Sequence, residues 1–149
     1  MKMSKRVSYG ILAAIDLALH AKDAPIQAKA VSRRQGIPLR FLEQVLHTMK
    51  NTGLVESHRG AQGGYLLSRK PADLSLAEIV ESLEGPVFHR LGVNPSPRHR
   101  QIGKPDSLLG DVWEQLQQAE RKVLESITVE QLAERQRLVD AQRSPMYHI

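Results

Sequence analysis

At Gly53 the chain changes its hydrophobic period, and few folds accommodate what lies on both sides of that point. Upstream, apolar residues recur at helical spacing in three segments. Ser4 is placed to cap a first helix whose apolar face runs through Val7, Ile11, Leu12, Ile15, Ala18 and Leu19. A second, short helix over about 27–35 ends at Gly36, a residue suited to the left-handed position that closes a helix. Ile37-Pro38 opens a third, because proline's fixed φ suits a first turn. It carries Leu42, Val45, Leu46 and Met49 on one face and stops at Gly53. Downstream, residues 54–58 and 65–68 read as short strands around Arg59-Gly60-Ala61-Gln62-Gly63-Gly64, whose three glycines supply the turn of a hairpin. Helix, short helix, helix and glycine-tipped hairpin is the order of a winged helix-turn-helix.

Ser75-Leu76-Ala77-Glu78 has the pattern of a capping box and starts a fourth helix that Gly85-Pro86 closes. Residues 86–107 hold four prolines and two glycines and show no periodicity, which predicts a loop. Leu109, Val112, Trp113, Leu116, Ala119, Val123 and Ile127 then trace a long amphipathic stripe. Thr128-Val129-Glu130-Gln131 is a second capping box, opening a last helix through about Gln136. The expected fold is mainly α: a winged helix-turn-helix with a two-strand wing plus a long C-terminal dimerisation helix. Its parts are a DNA-binding domain at 1–86, a Pro-rich loop at 87–106, dimerisation helices at 107–140 and a tail at 141–149. The stripe is expected to pair two copies, because contiguous apolar patches of that size are unusual on monomers.

Charge points to a polyanion. Residues 1–70 hold twelve Lys/Arg and four acids, a net of +8, whereas residues 71–149 hold nine and twelve, a net of −3. The absence of cysteine excludes a disulfide framework, a Cys-ligated zinc site and a thiol nucleophile for this chain. The apolar run at residues 11–15, interrupted at Asp16, is too short for a signal-peptide core or membrane span, so a soluble cytoplasmic protein with no membrane partner is expected. Six aromatic residues disfavour readers of single strands that stack bases on rings.

On a wheel at 100° per residue, the third helix places Arg40, Gln44, His47 and Asn51 opposite its apolar side, with Glu43 on the flank. Such side chains can meet base edges and phosphates, and a carboxylate can accept from cytosine N4. An ordinary solvated helix face is the alternative; the basic first half and the glycine hairpin tip the reading toward DNA. Arg59 on the wing can enter a minor groove narrowed by A·T pairs; the alternative is a surface arginine in a salt bridge. Lys2, Lys5 and Arg6 suit phosphates, or equally a solvated terminus. A second reading is a winged-helix protein-interaction module without specific DNA binding. An enzyme is not indicated, since no nucleophile elbow, phosphate loop or paired-acid spacing is present. His89 and His99 match no compact metal motif, and no metal or cofactor is expected.

Phe41-Leu42-Glu43-Gln44, Gly53-Leu54-Val55, Arg59-Gly60-Ala61-Gln62-Gly63-Gly64-Tyr65 and Leu83-Glu84-Gly85-Pro86 resemble the Rrf-two family of bacterial transcription regulators, over residues 1 to about 135. The resemblance implies a winged-helix repressor that dimerises and binds a pseudo-palindromic operator on double-stranded DNA. Carried over residue by residue, Glu43 and Gln44 would read the major groove and Arg59 the minor groove. The expected DNA-binding set is Lys5, Arg6, Pro38, Arg40, Glu43, Gln44, His47, Arg59, Gly60 and Gly63. The expected dimerisation set is Leu109, Val112, Trp113, Leu116, Val123 and Ile127. Arg40 departs from the small hydroxyl residue common in the family, which bears on the operator sequence.

Many family members hold an iron–sulfur cluster on three cysteines in the loop that corresponds to 86–107. This chain has none, and Ser107 stands at the last of those positions, while Ser8 and Leu12 stand where some relatives add a ligand. Thiolates are what hold such clusters, so none is expected. The ending Met146-Tyr147-His148-Ile149 resembles that of the cluster-free cysteine-metabolism repressors, which implies cysteine synthase as a partner through Tyr147 and Ile149. A terminal carboxylate can take backbone amide donors while the isoleucine side chain fills an apolar pocket.

Overall fold

The computed structural model describes residues 3–85 and 108–143. Its elements run α1 (Lys5–His20), α2 (Ala28–Gln35), α3 (Leu39–Asn51), β1 (Val55–His58), β2 (Gly64–Leu67), a 3₁₀ turn (Pro71–Asp73), α4 (Leu76–Glu84), α5 (Leu108–Ser126) and α6 (Val129–Arg143). This is the mainly helical winged helix-turn-helix, with a two-strand antiparallel wing and a long helix after it, that the residue pattern predicts. Among the described residues no helix is long and apolar enough to cross a membrane. The Pro-rich loop, Tyr147 and Ile149 lie outside the described residues.

Local chemistry sets the helix ends. Ser4 Oγ accepts the Val7 amide at 3.2 Å and starts α1. Gly36 closes α2 in the left-handed region, φ 66° and ψ 33°. Ser75 and Glu78 form the reciprocal box at the start of α4, and Thr128 and Gln131 do the same at α6. The two boxes are also joined to each other. The Leu76 amide donates to the Ile127 carbonyl and the Val129 amide to the Leu74 carbonyl, both at 2.9 Å, around a bridge between Ser75 and Thr128. That junction lays α6 against α1, so Val129 and Ala133 enter the same apolar core as Val7, Ile11, Leu46 and Ile79.

The wing pairs Val55 with Leu67, Glu56 with Leu66, Ser57 with Tyr65 and His58 with Gly64. It is anchored near its turn end by a bridge from Tyr65 to the α1–α2 connection. The Tyr65 amide donates to the Ile26 carbonyl at 2.7 Å, and the Ile26 amide donates to the Tyr65 carbonyl at 3.0 Å.

Three expectations are corrected. Leu12 is not on the buried face of α1 but at its rim beside Lys5 and Ser8, 36% exposed, because the buried arc is centred on Val7, Ala14 and Leu17. Asp16 is not merely a break in an apolar run. It is fully buried, and its carboxylate takes Arg34 Nη2 at 2.7 Å, Arg34 Nε at 3.0 Å and Gln35 Nε2 at 3.0 Å. Hydrogen bonding to Asp16, then its charge, hold the Arg34 guanidinium above its ordinary pKa against the opposing effect of burial. Finally, α6 continues past Gln136 to Arg143, since no glycine or proline interrupts it before Pro145 and Arg137–Glu134 and Gln136–Asp140 pairs support it.

Candidate nucleic-acid interface

The exposed face of α3 follows from what the helix buries. Leu42, Val45, Leu46 and Met49 are all within the core, which turns Arg40, Glu43, Gln44 and His47 outward. Pro38 is the N-cap and supplies no side-chain acceptor, and the first turn holds no acid. The positive end of the helix dipole therefore stays uncompensated within the helix, which favours an anion beyond it.

Arg6 of α1 and Thr48 join Arg40, Glu43, Gln44 and His47 around an open hollow of about 660 Å³. Arg6 Nη2 donates to Thr48 Oγ1 at 2.9 Å, and the Thr48 hydroxyl donates to the Gln44 carbonyl at 3.1 Å. The long side chain of Arg6 is thereby tied to α3, close to Gln44. His47 Nε2 lies 3.2 Å from Asn51 Nδ2 one turn on, so the imidazole is oriented along the same face. Within this hollow Glu43 is the one acid among three cationic or ionisable nitrogen side chains. Such a surface can donate to phosphates and base acceptors and can accept at one position.

Five of the ten expected DNA-binding residues, Arg6, Arg40, Glu43, Gln44 and His47, meet at this hollow. Lys5 is exposed at the start of α1, and Pro38 stands at the α3 N-cap, both outside its lining. Arg59, Gly60 and Gly63 form the tip of the wing, where Arg59 is exposed. The Gly63 amide closes the tip on the Gly60 carbonyl at 3.0 Å. A Cβ at Gly63 would stand 2.3 Å from the His58 carbonyl oxygen, so only glycine fits this turn. Thr48 was missed by the wheel, which places it on the flank; its position four residues after Gln44 is the signal that could have found it.

Along α5, Leu109, Val112, Leu116 and Val123 stand exposed, while Trp113 is half-buried. The helix packs on α4 with the neighbouring strip that holds Gly110 and Leu124. Ile127 is half-buried against the core of its own chain.

The chain matches the model of the Rrf2 family, the Rrf-two regulators of the resemblance above, described as iron-dependent transcriptional regulator, over residues 3–135. It is 32% identical over 146 residues to the HTH-type transcriptional regulator IscR of Xenorhabdus nematophila, covering 94% of this chain and 84% of that one. Among solved structures it is similar to CymR (YrzC), the global cysteine regulator of B. subtilis, with a TM-score of 0.72 at 30% identity over 90% of this chain and 97% of that one. T. potens IscR gives a TM-score of 0.72 at 34% identity, over 95% and 88% of the two chains.

Proposed function

The chain belongs to the Rrf2 family of transcriptional regulators, and from that premise we propose that it is a homodimeric repressor that reads a pseudo-palindromic operator without an iron–sulfur cluster. Its relatives are transcription regulators rather than enzymes, and so is this chain. The observation that carries the operator reading is the hollow on α3. Glu43 and Gln44 there would meet base edges, with Arg40 and His47 beside them and Arg6 held at the rim for a phosphate. Lys5 adds a second phosphate contact, and Pro38 leaves the positive end of α3 open toward the backbone. Arg59, carried by Gly60 and Gly63, enters the minor groove.

Two copies would pair through Leu109, Val112, Leu116 and Val123, with Trp113 and Ile127 at the margin of the ridge. Four exposed large apolar side chains along one face of a helix support a self-complementary contact. In this division residues 1–86 bind DNA and 107–140 hold the dimer together. Two-fold symmetry then sets two half-sites on one face of the duplex. A regulator acting on bacterial DNA would work in the cytoplasm.

The family is described by its iron dependence, but the donor set here does not fit an iron–sulfur cluster. The chain has no cysteine, and among the described residues no group of three or more His, Asp or Glu side chains could hold a metal ion. Likeness to a global cysteine regulator supports a place in the control of cysteine metabolism. Cysteine synthase would be the partner, bound through Tyr147 and Ile149 beyond the described residues.

Enrichment of bound fragments from a random duplex library by the purified chain tests the reading. A recurrent two-fold motif, with retention lost steeply as salt rises, is the expected result. Retention of no duplex at low salt refutes it and leaves a protein-interaction module.

A further inference from the structure

Asp16 is the one fully buried charged side chain among the described residues, and it lies in α1, outside the DNA-facing set. Both its oxygens are used, in a fork-to-fork pair with Arg34 and a third hydrogen bond from Gln35. Arg34 and Gln35 are the last two residues of α2, and only Gly36 and Ile37 separate them from the α3 N-cap at Pro38. Across that short turn the Ile37 amide donates to the Ser32 carbonyl at 3.1 Å, and Ser32 Oγ donates to the Ile37 carbonyl at 2.5 Å. Whatever fixes the end of α2 therefore fixes where α3 begins.

Apolar packing alone does little to fix it. Of the eight residues of α2 only Val31 is buried, with Ala28 and Ala30 partly buried against the core, and one valine with two alanine methyl groups leaves the rotation and tilt of a helix loosely determined. A bidentate carboxylate–guanidinium pair with a third donor is directional where an apolar contact is not. Stability explains the burial of Asp16 poorly, because its Arg34 partner is 37% exposed and apolar side chains in place of such ion pairs commonly leave a fold as stable or more so.

We propose that Asp16, through Arg34 and Gln35, is a positioning residue for operator recognition. The pin sets the angle at which α2 delivers α3, and with it the register of Glu43 and Gln44 on base edges. This rests on the operator reading given above. It separates two quantities that a merely structural role would move together: affinity for the selected operator, which needs α3 in register, and affinity for arbitrary duplex, which needs only surface charge.

The test compares the wild-type chain with the double variant Asp16→Leu, Arg34→Met. The duplex enriched by the wild type from a random library and a scrambled duplex of equal length serve as probes, and thermal unfolding is followed alongside. The expected result is an unfolding midpoint close to wild type, with the operator-to-scrambled affinity ratio reduced by about tenfold or more, the scale of one lost base contact. An unchanged ratio in the folded double variant overturns the proposal. If that variant does not fold, Arg34→Lys decides, since it keeps the charge but loses the fork: a reduced ratio supports the pin and a wild-type ratio overturns it. A wild-type chain that enriches no motif overturns the operator reading first, and the pin with it.

Discussion

Replacing Gly64 by alanine would put a methyl group 2.4 Å from the carbonyl carbon and oxygen of Ile26 and 2.8 Å from the amide nitrogen of Gln27. All three neighbours are backbone, so no side chain can swing aside to make room. Gly64 also sits at φ +155°, a conformation that L side chains rarely adopt. The outcome is separation of the wing from the α1–α2 connection, with loss of the two hydrogen bonds between Ile26 and Tyr65. Two backbone bonds at about 1 kcal/mol each, with about 1 kcal/mol of residual strain, give a destabilisation of roughly 2–4 kcal/mol. Urea unfolding followed by circular dichroism measures it, and hydrogen exchange at the Ile26 and Tyr65 amides shows where it arises. The detached wing should also lose the contribution of Arg59 to duplex affinity. A Gly64→Ala chain within about 0.5 kcal/mol of wild type, with both amides still protected, would refute the anchoring argument.

Ser75→Ala removes the hydroxyl that accepts the Glu78 amide and should cost about 1 kcal/mol in the same urea titration; no change would mean that the box is not holding α4. Arg59→Ala should weaken operator binding by roughly 1–3 kcal/mol and relax A·T preference at one step, whereas Lys5→Ala should weaken all duplexes alike and lower the salt slope by about one. The same sequence-independent loss in both variants would mean that Arg59 is no reader. Leu116→Glu places a charge in the middle of the exposed α5 ridge, and light scattering should then report the 16.7 kDa monomer in place of a species of about twice that mass. Anaerobic reconstitution with iron and sulfide should leave the protein colourless, and a stable stoichiometric cluster would contradict the donor-set argument.

Most of the fold is legible in the sequence where the determinants are local. Ser4, Gly36, the Ser75–Glu78 box and the Thr128–Gln131 box act within four residues of themselves, so the pattern and the geometry coincide. The outward face of α3 is legible for the same reason, because four buried residues at helical spacing leave one side free. What escapes are partnerships across long separations. The partners of Asp16 lie 18 and 19 positions away, and nothing near it distinguishes a buried acid from an exposed one. The bridges from Ile26 to Tyr65 and from Ser75 to Thr128 are single pairs with no period to announce them, yet they place the wing and α6. Leu12 escapes because a wheel ranks residues by angle without knowing how wide an arc the neighbouring helices cover.

The central claim is that the α3 surface reads sequence and does not merely attract charge. Fluorescence anisotropy at about 0.1 M salt, titrating the full chain into the duplex it selects and into a scrambled duplex of equal length, measures that directly. Binding to the selected duplex should be tighter by a factor of about 10³ or more, with Glu43→Ala and Gln44→Ala each narrowing the gap. Equal affinity for the two duplexes, falling together as salt rises, would contradict it.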